Sequence, residues 1–570
     1  MKRRALPLLL CLAATAGSAS PPASPPALRP GAIRLGGASN FSQGWSEDTR
    51  QATLKLKVPR LRDSIRWAEV ERTPGRFTFD KPTTTWPDRF AGTGVAITLT
   101  LNWGNPLYDD GKTPHSPQAL AAFGRFAAAT VARFPQIDTL EIGNEVNGQN
   151  FVNGPVRDAG LPDRGRYHLA MVQAAAEAVN KVRPDVQVIG GSTHSLPAGF
   201  LWPLLERPGA SAIEGLALHP YTTPIDQLPA QIGFLRGHGR VRRLPLYITE
   251  FGSEDPRRAA DDLVRGYTML AALGITEMDW YPLNERGDGM VPLIRRDGML
   301  TAAGEAFRFV QTRLRGRAVR NVSPDPFTFA YTFGEDIVVV WGAARPLAVD
   351  PATVRVFDAR GGRVSLGQLE LAGDRALILT GTGVTASATS YRLGCSPLLA
   401  DSFYQFAYPD AGTARAKQDG FERFLRIDGR EMPLSVMPGQ QHRAVPWTPY
   451  LGHADLRDLR LTAETMLPAV KGGDGAIVHR FRADRDSALR LVATFAVSNK
   501  STDGISVSLA RNGRTLLTRS DTAPIRIDHK IALRKGQSVA VALSPRKSTR
   551  GDTTRYRIQV FDADKCKPHR

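Results

Sequence analysis

Leu140-Glu-Ile-Gly-Asn-Glu145-Val and Pro245-Leu-Tyr-Ile-Thr-Glu250-Phe-Gly are two short apolar runs that each stop at a glutamate. Both read as strands, and each offers one carboxylate at its end. The roughly one hundred residues between them alternate strand and helix, the chain needed to travel three units round a closed parallel sheet. Working outward, strand candidates fall at 33–38, 60–67, 95–103, 139–146, 186–191, 215–221, 246–251 and 277–282. Apolar runs alternating with amphipathic helices imply a parallel sheet wrapped by helices. Eight of them predict an α/β fold, a (β/α)8 TIM barrel over 33–317.

The helices between these runs carry their own marks. Ser116-Pro117 supplies an N-cap and an N1 proline, and Leu120, Phe123, Ala127, Val131 and Phe134 then share one face. Val172, Ala175, Val179 and Val182 repeat that spacing before Pro184, as do Leu263, Tyr267 and Leu270 before Gly274, a C′ candidate. Beyond the barrel, 318–394 reads as a small β-domain with strands at 327–333, 336–341, 352–357 and 375–380. The remainder, 395–570, reads as a β-sandwich whose alternating strands fall at 488–497, 505–509, 539–543 and 556–560.

Lys2, Arg3 and Arg4 precede an apolar run, and small residues follow up to Ala19. That pattern predicts an export signal over 1–19 and a Pro-rich linker over 20–32, hence a periplasmic or extracellular protein. The apolar run is short of the ~20 residues a membrane-spanning helix needs, and no later segment qualifies. After the signal two cysteines remain, Cys395 and Cys566. In an oxidising compartment they are expected to bridge and tie the ends of the sandwich, with two free thiols as the alternative. The formal charge is +19, three of it from the signal. The arginines are dispersed and no recognition helix accompanies them, so nucleic acid is not expected as a partner. Attraction to an anionic polymer is the functional reading of the charge, and compositional bias the bland one.

Catalytic groups of such barrels sit at the C-terminal ends of the strands, where Glu145 and Glu250 both fall. Glu141 shares the strand face of Glu145 but lies deeper. Asn144 and Asn102 are amides placed to hold hydroxyl groups. Arg62 suits pairing with a nucleophilic carboxylate, or else a structural ion pair with Asp63 or Glu69. His219 and Tyr221 end the sixth strand, where the phenol would reach the nucleophile, unless both merely pack. Trp280 on the eighth strand is either a floor for a sugar ring or barrel core. Trp103 and Tyr108 follow the third strand and would line a further subsite. No His/Cys/Asp cluster has ligand spacing and no Gly-rich phosphate loop follows a strand, so neither a metal nor an organic cofactor is expected.

Taken together these motifs resemble those of clan A glycoside hydrolases, most closely the family 39 type and its bacterial exopolysaccharide-associated branch. Asn144-Glu145 is similar to that clan's acid/base pair and Thr249-Glu250-Phe-Gly to its nucleophile segment. Arg62-Asp-Ser-Ile-Arg-Trp-Ala-Glu-Val-Glu71, Leu101-Asn-Trp-Gly-Asn-Pro-Leu-Tyr108 and Trp280-Tyr281 resemble its second-, third- and eighth-strand signatures. The resemblance covers about residues 33–315. It departs at Asn284-Glu285-Arg286, a loop that varies widely among relatives. It implies a retaining O-glycosyl hydrolase acting by double displacement, with Glu145 as acid/base, Glu250 as nucleophile and carboxyls ~5–5.5 Å apart. The expected partner is a polysaccharide, which the basic balance allows to be anionic, and the expected state is a monomer. Two rivals follow from the same residues: a non-catalytic polysaccharide-binding or assembly protein, and a uronate lyase.

Overall fold

The computed structural model describes residues 33–566 apart from 45, 386–389, 410–415, 417, 441–445 and 469–474. The predicted export signal and linker lie outside the described residues. Among these, no helix is long and apolar enough to cross a membrane.

Eight parallel strands close into a barrel: β1 (Arg34–Ala38), β2 (Arg60–Ser64), β3 (Ala96–Leu101), β4 (Ile137–Ile142), β5 (Gln187–His194), β6 (Leu216–His219), β7 (Leu246–Phe251) and β8 (Glu277–Trp280). Each pairs with its successor, and β8 returns to β1 with Gly37 opposite Trp280. The TIM-barrel expectation therefore holds. Helices α1 (Glu47–Leu56), α2 (Pro117–Arg133), α3 (Gly160–Val182), α4 (Ala198–Leu205), α5 (Leu228–Leu235), α6 (Ala259–Ala272) and α7 (Ala302–Arg313) cover it. Between β2 and β3 there are instead one-turn helical segments, Trp67–Val70 and Pro82–Thr85, and a short hairpin.

The local marks act as their chemistry dictates. The Ser116 hydroxyl accepts from the Ala119 N–H at 3.1 Å, and Phe123, Ala127 and Val131 on α2 are buried. On α3 Val172, Ala175 and Val179 are buried. Val182 is a correction: it is the last residue of the helix and 48% exposed.

Two irregularities shape the top of the barrel. On β7, Ile248 lies opposite Met278 and Phe251 opposite Trp280, so Thr249 and Glu250 together face the single residue Asp279. Such a bulge turns two successive side chains inward, a common device beside active sites. The strand expected to carry Glu145 stops earlier than expected, at Ile142. Gly143 follows at φ +82°, where an added Cβ would sit 2.5 Å from Val146 Cγ1, and the chain turns out of the sheet there.

Beyond the barrel, an antiparallel five-stranded sheet includes Val319–Asn321, Thr328–Phe333, Ile337–Gly342, Arg355–Phe357 and Leu377–Thr380. It shares an apolar core with the barrel through Tyr331, Phe333 and Trp341. A six-stranded and an eight-stranded sheet follow, with a common core that includes Leu489, Leu491, Val541 and Leu543. Cys395 and Cys566 form a disulfide, with Cα atoms 5.5 Å apart.

Candidate active site

Glu250 leaves the β7 bulge into the barrel mouth. One of its oxygens accepts a hydrogen bond from Arg62 Nη1, and the other accepts from the Tyr221 hydroxyl at 3.0 Å. Arg62 is the hub of this layer. Its Nε donates to Glu141 at 2.8 Å and its Nη2 to Asn144 Oδ1 at 2.7 Å. The structure thus places Arg62 against the carboxylates. The alternative partners are engaged elsewhere: Asp63 accepts from Ser39, Ser42 and the Phe41 N–H, and Glu69 from Thr83.

Glu145 adopts φ +42°, a left-handed conformation rarely favourable for a residue with a side chain. Its neighbours hold it there. The Gly143 N–H donates to Leu101 O at 2.8 Å, Asn144 N–H to Asn102 Oδ1 at 3.0 Å, and Val146 N–H to Ser192 O at 3.0 Å. Gly148 N–H closes the turn onto Glu145 O at 2.7 Å. Non-glycine strain of this kind costs on the order of 1–3 kcal/mol and gathers at functional sites.

The result is convergence. One oxygen of Glu145, one of Glu250 and a ring nitrogen of His219 lie within 4.8 Å of one another. The pocket above them holds about 160 Å³ and is lined by Arg62, Asn102, Trp103, Asn144, Tyr281 and Arg286 as well as the two glutamates. Trp103 is 39% exposed there, with Phe151 beside it at 5.9 Å. Arg286 lies over the Tyr281 ring at 5.5 Å and 4.0 Å from Asp288.

Three expectations are corrected. Trp280 is fully buried and donates its indole N–H to Val291 O at 2.9 Å, so it is barrel core and offers no ring face to a sugar. Tyr108 stacks on Trp67 at 5.2 Å and donates to the buried Glu71, which keeps it out of the cleft. His219 is also fully buried, so it does not contact substrate. Its Nδ1 lies 3.3 Å from Glu145 and 3.7 Å from Glu250, and its Nε2 lies 3.1 Å from Thr249 Oγ1 and 3.7 Å from Glu141.

Burial would lower the basicity of His219, but the charge of Glu250 and hydrogen bonds to Glu141 and Glu145 outweigh it and raise it to about 9. The imidazolium in turn acts on Glu145: burial raises that carboxyl, and the His219 hydrogen bond and charge pull it below its ordinary value. Glu141 behaves alike, with burial outweighed by the Arg62 charge, and is lowered to about 2. Burial and the Glu250 charge drive the Tyr221 phenol well above its ordinary value, so it remains a donor. Glu145, His219 and Glu250 are metal-ligating types, but Arg62 and Tyr221 already donate to both oxygens of Glu250 and Thr249 Oγ1 lies 3.1 Å from Nε2 of the fully buried His219, so the three stand here in one hydrogen-bonded cluster.

Residues that sequence reasoning missed are Asn147, Gln440 and Trp447. Asn147 Oδ1 accepts from His194 N–H at 2.9 Å, and Asn147 Nδ2 donates to Gln440. Trp447 meets the His194 ring at 4.8 Å. Gln440 and Trp447 lie in an irregular stretch of the sandwich region, where no periodicity points at a barrel.

No protein-family model matches the chain, and no curated protein matches it. Solved structures do. A family 39 glycoside hydrolase from Bacteroides cellulosilyticus WH2 superposes with TM-score 0.52 and 17% identity, over 62% of this chain and 81% of that one. The barrel fold is shared with that enzyme. Looser likenesses, with TM-scores of 0.46 and 0.47, are a family 39 β-xylosidase from Caulobacter crescentus and a family 30 endoxylanase from Clostridium papyrosolvens C71. They are 16% and 12% identical, each over 62% of this chain, and over 98% and 97% of their own.

Proposed function

We propose that this protein is an exported retaining glycoside hydrolase that cleaves O-glycosidic bonds of a polysaccharide, a bacterial exopolysaccharide in particular. The observation that carries the reading is the approach of Glu145 and Glu250 oxygens to within 4.8 Å. Retaining enzymes hold their carboxyls ~5–5.5 Å apart, and inverting ones ~6.5–9.5 Å to admit a water.

In the first step an oxygen of Glu250 bonds to the anomeric carbon as the bond to the leaving oxygen breaks. Glu145 gives that oxygen its proton. In the second, water attacks the anomeric carbon, Glu145 takes the water's proton, and Glu250 departs with its electron pair. Arg62 and Tyr221 each donate to one oxygen of Glu250 and so aim it. In the free site the proton shared between Glu145 and His219 rests on the imidazole. A sugar seated in the gap expels water from Glu145, strengthening the burial that raises its carboxyl, and so returns the proton to the acid. Once Glu250 is glycosylated its charge is gone, and Glu145 is suited to act as base.

Exopolysaccharide as substrate is supported by the motif resemblance, the strongly basic balance of the chain, and the exposed Trp103 and half-buried Arg286 that line the pocket. Glu250→Ala is expected to abolish turnover, with azide restoring it to give a product of inverted anomeric configuration. Full activity in that variant would remove the proposal. A panel of bacterial exopolysaccharides, with products sized by mass spectrometry, identifies the sugar.

A further inference from the structure

The turn that carries Glu145 is held from a point 293 residues further along the chain. Gln440 lies in the loop between two strands of the eight-stranded sheet, Ser435–Met437 and Tyr450–His453. It is only 4% exposed, and its amide forms a reciprocal pair with Asn147, two residues after Glu145. Asn147 Nδ2 donates to Gln440 Oε1, and Gln440 Nε2 donates to Asn147 O at 3.3 Å. Asn147 also grips His194 through both ends of its amide, accepting from its N–H at 2.9 Å and donating to its carbonyl at 3.0 Å.

The backbone is shaped for this reach. Gly439 and Gln440 both take positive φ, +75° and +34°, and a Cβ at Gly439 would lie 2.5 Å from Thr448 O. The Gln440 N–H donates to Pro446 O at 2.8 Å, and Pro438 O accepts from the Gly199 N–H at the start of α4 at 2.9 Å. A glutamine in left-handed backbone costs on the order of 1–3 kcal/mol, so its contacts must hold it there.

The same pinch brings Trp447 to the barrel mouth. Its ring is half-buried and meets His194 edge-on, with an interplanar angle of 60°. Its Cη2 lies 3.9 Å from where a Cβ on Gly148 would be, and Gly148 closes the Glu145 turn. His194 in turn lies 5.9 Å from Tyr221, the phenol that donates to Glu250. These contacts fall on the Glu145 turn and on His194 beside it. The acid must face the leaving oxygen, so its flank is where the sugar unit beyond the scissile bond has to lie.

We propose that the β-sandwich completes the leaving-group side of the cleft, with Gln440 as a positioning residue for the Glu145 turn and Trp447 as an aromatic platform for the sugar unit beyond the scissile bond. This rests on the glycosidase reading above. Apolar sugar faces lie well on aromatic rings, and an indole contributes a large rigid area at low entropic cost.

The test uses the full chain with three probes of one glycone: its 2,4-dinitrophenyl glycoside, its unactivated phenyl glycoside and oligosaccharides released from the exopolysaccharide panel. Trp447→Ala is expected to raise KM for the oligosaccharides by roughly tenfold and to change the dinitrophenyl glycoside far less. Trp447→Phe should recover most of the loss, because a ring face remains. Gln440→Ala should lower kcat mainly on the phenyl glycoside, which needs the acid, and less on the dinitrophenyl one, which does not. Equal losses on all three probes, or none, while Glu250→Ala still shows azide rescue in the otherwise native chain, would overturn this inference and leave the glycosidase reading standing. Absence of turnover by the native chain on every probe would remove both.

Discussion

Between its strands the barrel encloses Arg60, Arg62, Glu141, Glu277 and Asp279, whereas the two sheets of the sandwich enclose Leu489, Leu491, Phe495, Val541 and Leu543 together with a buried pair, Arg423 and Asp419 at 2.6 Å. Barrel interiors are usually filled by layers of branched apolar side chains. Here Arg60 joins Asp138 at 2.6 Å and Glu277 at 3.2 Å, and Arg62 joins Glu141 and Glu250 one layer above. Burial, together with the adjacent Glu277 charge, pushes Asp279 well above the ordinary carboxylate range. The difference shows how each core specifies its neighbours. Hydrocarbon packing tolerates volume-conserving exchange, while a buried charge fixes the direction of every group bonded to it. The barrel uses that rigidity to aim two glutamates.

The comparison breaks most sharply at Arg62. Arg62→Met takes the guanidinium from the fully buried Glu141 and the nearby Glu250, and should destabilise the barrel by about 3–5 kcal/mol in urea unfolding. Activity should fall with it. Leu491→Ala tests the hydrocarbon side. It opens a cavity in the sandwich and should cost about 2–5 kcal/mol, with turnover kept at temperatures where the fold survives. Turnover lost in step with Arg62→Met would mean the two cores are not distinct.

Titration gives a smaller effect. His219 is raised to about 9, so its contribution is fully present below its unfolded value near 6.5 and is lost as pH rises through about 9. Glu141 is lowered to about 2, so its contribution is present above ~4.5 and lost as pH falls through about 2. Urea midpoints followed from pH 6 to 10 should decline in the native chain and decline less in His219→Gln; parallel curves would refute the assignment. Smallest of all, Arg490→Met removes an exposed sandwich pair with Asp528 and should leave the urea midpoint nearly unchanged. A marked shift would show that surface charge supports the sandwich as strongly as buried charge supports the barrel.

Period and punctuation made much of this legible. Eight apolar runs and capped helices announced the barrel because each strand and helix satisfies its own backbone and presents one face inward. Glu145 and Glu250 were visible because the runs stop beside them. Trp280 was misplaced because an aromatic at a strand end looks the same whether its ring faces a cleft or the core. His219 was found for its position, but its burial among three carboxylates depends on strands far apart in the chain. The bulge at Thr249 and Glu250 had no mark in the sequence, since register is a property of paired strands.

By itself the sequence determined the α/β alternation, the barrel count and the two acidic strand ends, because these follow from local periodicity and from the chemistry of single side chains. Only the tertiary structure decided how near those carboxylates come, which cations hold them, and that Gln440 and Trp447 reach the Glu145 turn. Such distances are set by ring closure, register and long-range hydrogen bonds, and no local pattern encodes a contact across 293 residues.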